Sequence, residues 1–259
     1  MTTAAQAPSR RRSPLAVMVW TEVKLLLREP PAIAFPLLMP LALLLVLGLS
    51  IPDMSRPSPV LGGQSYLDSQ LPATMTLMSA AITAFTVLPI SVAGYRDSGV
   101  LRRMSTTPVP PRRLLAVQLT IYLALVFAAT AIMVACGALV LGIAVPRQLA
   151  GFVLVLLLGT ASLMALGLLV AVLSPSAKSA PGLGTLLMFP LLFLGGVWVP
   201  RESLPAPVRV IGDLTPAGSF GRALRDTWYG AAPSLAAVVV MAVWLVAVGL
   251  LAVRLFRWE

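Results

Sequence analysis

The stretch LAGFVLVLLLGTASLMALGLLVAVL, Leu149–Leu173, carries no charged residue and no proline. Wound as an α-helix at about 1.5 Å per residue, it runs roughly 37 Å, more than the ~30 Å hydrocarbon thickness of a bilayer. Its apolar side chains form no stripe, so every side of the helix needs apolar surroundings. A soluble domain hides a segment like this only if the rest of the chain is polar, and here it is not. Of 259 residues, 58% are hydrophobic and only 11% are charged, with a mean hydropathy of +0.94. Soluble domains carry about 25% charged residues. The sequence reads as an all-α, polytopic membrane protein.

Five further stretches are likewise long, apolar and free of charge, giving six transmembrane helices at about 32–51, 71–93, 114–143, 149–173, 182–199 and 233–253. Pro36 and Pro40 predict a kink in the first. Ahead of it lies LAVMVWTEVKLLLRE, residues 15–29. At 100° per residue, Thr21, Glu22, Lys24, Arg28 and Glu29 gather on one side, with Ala16, Val19, Trp20, Val23, Leu26 and Leu27 on the other. Such a helix either lies in the membrane interface or packs on a partner in the cytosol, and the interfacial reading is preferred. Trp20, Glu22, Lys24, Arg28 and Glu29 mark it. Residues 1–14 read as a disordered, basic cytosolic tail, and 15–259 as a single transmembrane domain.

Orientation follows from the arginines and lysines. An inside amino terminus puts thirteen of the nineteen on the cytosolic side and six outside. Both termini are then cytosolic, as an even number of spans requires. The net charge of +10 therefore sets topology, and the chain is not expected to bind nucleic acid. Between spans five and six, residues 200–232 are too long and too apolar for a simple loop. Their prolines divide them into short helices near 208–214 and 220–228, a re-entrant outer segment.

The absent chemistry is informative. The proposed spans contain no Asp, Glu, Lys, Arg or His, which argues against an ion-coupled carrier. There is no histidine anywhere and one cysteine, Cys136, inside an apolar run, so no metal site and no catalytic residue is expected. No GxxxxGK[ST] phosphate loop occurs. Any nucleotide hydrolysis is expected on another polypeptide.

One basic cassette interrupts the grease: GYRDSGVLRRMSTTPVPPRR, residues 94–113. A short amphipathic helix is predicted after Asp97 or Ser98, with Val100, Leu101 and Met104 on one side and Arg102 and Arg103 towards the other. The cassette is either a topology signal with lipid-phosphate contacts or a docking element for another protein.

The cassette, continued as GYRDSGVLRRMSTTPVPPRRLLAVQL, resembles the segment between the second and third spans of ABC-2 type permeases, nearest to those of daunorubicin/doxorubicin-type drug exporters. FLGGVWVPRESLPAPVRVIGDLTPAGSFGRALRD, residues 193–226, resembles that family's end of span five and outer re-entrant segment. Arg28-Glu29-Pro30 also matches. Members often carry glutamate where Asp97 stands, and Asn-Pro where Thr215-Pro216 stands. The resemblance implies the membrane subunit of an ATP-driven exporter in a bacterial inner membrane: two permeases, identical or different, with two separate ATPase chains that bind ATP-Mg. Arg96, Asp97, Gly99, Leu101, Arg102 and Arg103 then fall in the ATPase-coupling region. The cargo is expected to be a hydrophobic or amphiphilic drug. A lipid or lipid-linked polysaccharide, or a different class altogether, an ion-coupled carrier, remains the alternative. The substrate-binding residues are not readable from the sequence.

Overall fold

The computed structural model describes residues 14–58, 63–100 and 111–256. Among these, nine α-helices follow one another: α1 Pro14–Leu27, α2 Pro30–Ser50, α3 Tyr66–Asp97, α4 Pro111–Leu141, α5 Leu149–Leu173, α6 Ala180–Leu194, α7 Ala206–Leu214, α8 Pro216–Tyr229 and α9 Leu235–Leu255. The all-α expectation has one small exception, a two-residue antiparallel ladder that pairs Pro57 with Ser65 and Ser58 with Gln64. The predicted tail 1–14 lies almost wholly outside the described residues.

Start and stop signals explain the boundaries. Pro30 and Pro31 open α2 at positions where the missing N–H costs nothing, and α2 then continues as one helix through Pro36 and Pro40. Ser65 caps α3 by accepting from the Asp68 N–H at 3.0 Å. Thr215 caps α8 and Ser234 caps α9 in the same way.

Five helices are long and apolar enough to cross a membrane: α2, α3, α4, α5 and α9. The predicted span at 182–199 is corrected. Its helix, α6, stops at Leu194 and has 15 residues, about 22 Å. The cause is the Gly195-Gly196 pair. Gly196 adopts a φ of +83°, its N–H returns to the Phe193 carbonyl, and the Val197 N–H returns to Leu192. That is a complete Schellman closure, and no helix continues through it.

α3 and α5 form the centre. In the most apolar window of α3, 78% of residues are buried, and 67% for α5, against 17% for α2 and 22% for α9. The outer helices turn side chains such as Leu38, Leu139 and Leu235 away from the protein, as befits a multi-pass membrane protein. α3 relaxes into a π-turn at Thr83–Val87, and the neighbours close on it. A Cβ on Gly167 of α5 would strike the Ala84 carbonyl oxygen, and one on Gly184 of α6 would strike that of Phe85. Small residues at such crossings are how helices pack closely in lipid, where van der Waals contact replaces the hydrophobic drive.

α8, expected to lie at or dip into the outer leaflet, is a core element of the bundle. Phe220 packs against Gly159 of α5, and Phe220, Ala223 and Leu224 are wholly buried. Farther along, the Trp228 indole donates to the Ala144 carbonyl at 2.8 Å and meets Phe152 edge-on at 5.2 Å. α8 therefore runs from the middle of the bundle to the end where α4 meets α5. α7 sits beside its deep end, where the Trp244 indole of α9 donates to the Leu214 carbonyl at 2.8 Å.

Candidate functional site

The opposite end of the bundle carries the cassette. Three consecutive residues there bind three different elements. The Tyr95 hydroxyl donates to the Glu22 carboxylate of α1 at 2.8 Å. The Arg96 guanidinium donates to the Ser174 carbonyl and, at 3.5 Å, to that of Val172. Those carbonyls close α5, where the helix dipole leaves negative charge, and a cation there is worth about 0.3–1 kcal/mol. Asp97 accepts from the Ala177 N–H at 2.7 Å and lies 4.0 Å from the Arg96 Nε.

So Arg96 and Asp97, placed by sequence among the coupling residues, are engaged within the chain. Gly99 ends α3 with a φ of +69° and open space where a Cβ would sit. Leu101, Arg102 and Arg103 lie outside the described residues, as does the short helix predicted there.

On α1, Trp20 is exposed with the Lys24 ammonium 5.1 Å above its ring, a cation–π pair. Glu22 departs from its expected place on the water side. Glu22, Leu25, Leu26 and Glu29, at helical spacing, line a small cavity against α3 and α4. It has about 30 Å³ of room and is completed by Ser91, Tyr95, Gln118 and Tyr122, among others. A larger cavity of about 520 Å³ shares Glu29, Ser91 and Tyr122 with it. Pro30, Phe35, Val87 and Ile90 make this second cavity mainly apolar, and Arg28 also lines it.

Sequence reasoning missed Ser91, Gln118 and Tyr122. A signal existed: Ser91 and Tyr95, and Gln118 and Tyr122, are i,i+4 pairs that place polar atoms on one face of each span. A search for ionisable groups passes over them.

At the far end sits a second polar group. Asp213 receives Arg201 at 3.0 and 2.5 Å and Arg222 at 3.5 Å. Arg225 of α8 is only 4% exposed and donates to the Gly195 carbonyl at 3.2 Å. Among the described residues no carboxylate lies within 4.0 Å of it. No cluster of metal-ligating residues occurs among the described residues.

The described residues thus form a multi-pass helical bundle with a polar clamp and paired cavities at one end. Residues 14–229 match the family described as ABC-2 type transporter, and the chain belongs to that family. Among curated proteins it is similar to "Putative transport permease YvfS" of Bacillus subtilis (strain 168), at 24% identity over 225 residues. That alignment covers 85% of this chain and 87% of the relative. Members of the family generally work with an ATPase partner.

Proposed function

We propose that the chain is the membrane subunit of an exporter powered by ATP hydrolysis on separate ATPase chains, two permeases working with two ATPases in a bacterial inner membrane. The observation that carries this is the clamp at Tyr95, Arg96 and Asp97. It fastens the end of α3 to α1, to the last turn of α5 and to the α5–α6 turn. A push on residues 101–110 would then move three elements together, as a subunit driven from outside requires. Both termini are on the cytosolic side, α1 lies in the interface, and the cassette end faces the ATPases.

Six crossings fit this reading. α6 starts beside the clamp, the Ala177 N–H being held by Asp97 just before it, and ends at Gly195 against Arg225. The α7–α8 limb, dipping in from outside, supplies the thickness that α6 lacks. The cargo is a hydrophobic or amphiphilic molecule of drug size, which the 520 Å³ cavity and its apolar lining accommodate.

The test is reconstitution. Purified alone, the chain is expected to show no ATP turnover. Co-expressed with its ATPase in inside-out vesicles, it should accumulate an amphiphilic drug only when ATP is present. Specific ATP turnover by this chain alone would remove the proposal.

A further inference from the structure

Two backbone carbonyls in the middle of α3 lose their α-helical donors. In a regular helix the Leu88 N–H would serve the Ala84 carbonyl, but here it turns to Thr83, five residues back. Residue 89 would serve Phe85, and it is Pro89, which has no N–H. A proline ring also crowds the carbonyl four residues before it, so Pro89 accounts for the π-turn at Thr83–Val87. Within a bilayer such oxygens need cover. Two glycines supply it. The hydrogen that stands where a Cβ would be on Gly167 points at the Ala84 oxygen, and that on Gly184 at the Phe85 oxygen. These Cα–H···O contacts are weaker than the N–H bonds they replace, and they bring no side chain that would lock α3 in one setting.

The turn also separates two sets of neighbours. The first half of α3, Tyr66–Ile82, packs chiefly on α2 and α8. The second half, Leu88–Asp97, packs chiefly on α5 and ends in the clamp. Pro72 lies inside α3 too, but the helix stays α-helical around it. We infer that Pro89 is a positioning residue that keeps α3 as two levers, turning against each other at the π-turn. The second lever moves with α5 and the clamp, the first with α2 and α8. Bending at Thr83–Val87 breaks fewer N–H bonds than bending anywhere along an unbroken helix, so the motion is confined there. Arg96 stands nine residues beyond Val87. Over that lever of ~13 Å, a bend of ~20°, usual at prolines and π-turns, carries the guanidinium end by about 4–5 Å.

This deepens the transport proposal and rests on it for what drives the levers. The experiment is a distance measurement on the full chain in phosphatidylcholine nanodiscs, without ATPase. Spin labels sit on cysteines replacing Ser55, after α2, and Ser98, after α3, both exposed, with Cys136→Ser as background. Pro89→Ala supplies the missing N–H to the carbonyl pair and should narrow the spread of label distances at least about twofold. Pro72→Ala removes the same ring from another buried position of α3 and should leave the native spread. A native spread in Pro89→Ala overturns the inference. So does equal narrowing by both variants, which reports packing alone. With the ATPase added, Pro89→Ala should keep hydrolysis and lose about tenfold or more in ATP-driven efflux, while Pro72→Ala keeps both. Native efflux from a chain narrowed by Pro89→Ala overturns the lever role. The label distances need no ATPase, so a native chain that fails to transport with ATP leaves the pivot standing. A failed pivot, in turn, leaves the ATP-driven reading standing.

Discussion

Asp97, at the end of α3, accepts a 2.7 Å hydrogen bond from the backbone N–H of Ala177 in the α5–α6 turn. A carboxylate that holds a loop to the end of a helix works as a bracket, and with Arg96 beside it on the Ser174 carbonyl the bracket has two arms. Asp97→Ala removes one arm. Because the side chain is about two-fifths exposed, at 39%, the loss of stability should be modest, about 1 kcal/mol. That is a fall of roughly 2–4 °C in the unfolding midpoint of the purified protein. Asp97→Asn retains an acceptor and should stay closer to the native value. In the proposed assembly the bracket transmits motion, so ATP-driven transport should fall much further than the midpoint does. A variant transporting at the native rate would show that the α5–α6 turn is not on the route.

The π-turn in α3 makes a harder prediction. The neighbours of Gly167 and Gly184 are the Ala84 and Phe85 carbonyl oxygens, which are backbone and cannot swing aside. Gly167→Ala and Gly184→Ala should each cost about 1–3 kcal/mol, the usual range for overpacking, and lower the yield of folded protein. Gly182→Ala is the control, since nothing lies within 4 Å of its added carbon and it should be neutral. Equal melting of all three variants would show that α3 does not touch α5 and α6 in this way.

These contacts also mark what the sequence could and could not tell. Apolar length located α2 to α5 and α9 to within a few residues, because a membrane helix announces itself by uninterrupted burial or lipid contact. It overran α6, since Val197, Trp198 and Val199 are as apolar as a helix while the Gly195-Gly196 closure depends on backbone conformation. The depth of α8 was not legible for a related reason: only the fold brings the Gly195 carbonyl to Arg225. Glu22 looked water-facing on its own helix, and only the fold brings Tyr95 to it. The π-turn leaves no mark in the composition of TAFTV.

Short α6 turns the topology into a measurement. With Cys136→Ser as background, cysteines replacing Ser176 and Ser203 report the two ends of this segment to an impermeant thiol reagent in intact cells. Six crossings place them on opposite sides, with only Ser203 labelled. If α6, about 22 Å long, fails to cross with its neighbours, both positions share one side and label alike.

Arg225 separates stability from function. A buried charge held by the Gly195 carbonyl contributes little net stability, because its desolvation offsets the bond. Arg225→Met should therefore melt within about 2 kcal/mol of the native protein, the cost of an orphaned carbonyl set against the relief of a buried cation. Arg225→Glu puts an acid against that carbonyl and near Asp226, and should prevent folding. If Arg225→Met folds and fails to transport, the charge is kept for transport, as ionisable residues within membrane proteins usually are.

The cassette itself gives the last test. Arg96 and Asp97 are occupied inside the chain, so the burden of partner contact in the proposed assembly falls on Leu101, Arg102 and Arg103. Arg102→Glu with Arg103→Glu reverses two charges and should weaken co-purification with the ATPase. Close charge pairs at an interface are worth roughly 1.5–7 kcal/mol, so the loss should be tenfold or more. An orientation signal behaves differently. Arg96, Arg112 and Arg113 still hold the loop on the inside, and the variant should then insert and function normally. Arg96→Ala supplies the contrast, since it breaks the clamp on α5 while leaving the proposed docking residues intact. It should keep the ATPase bound and uncouple hydrolysis from transport. Three readouts decide: insertion, pairing and ATP-driven efflux. Normal insertion with lost pairing in the double variant, and normal pairing with lost efflux in Arg96→Ala, assign docking and transmission to adjacent parts of one cassette. Normal pairing and efflux in the double variant reduce residues 101–103 to a topology signal.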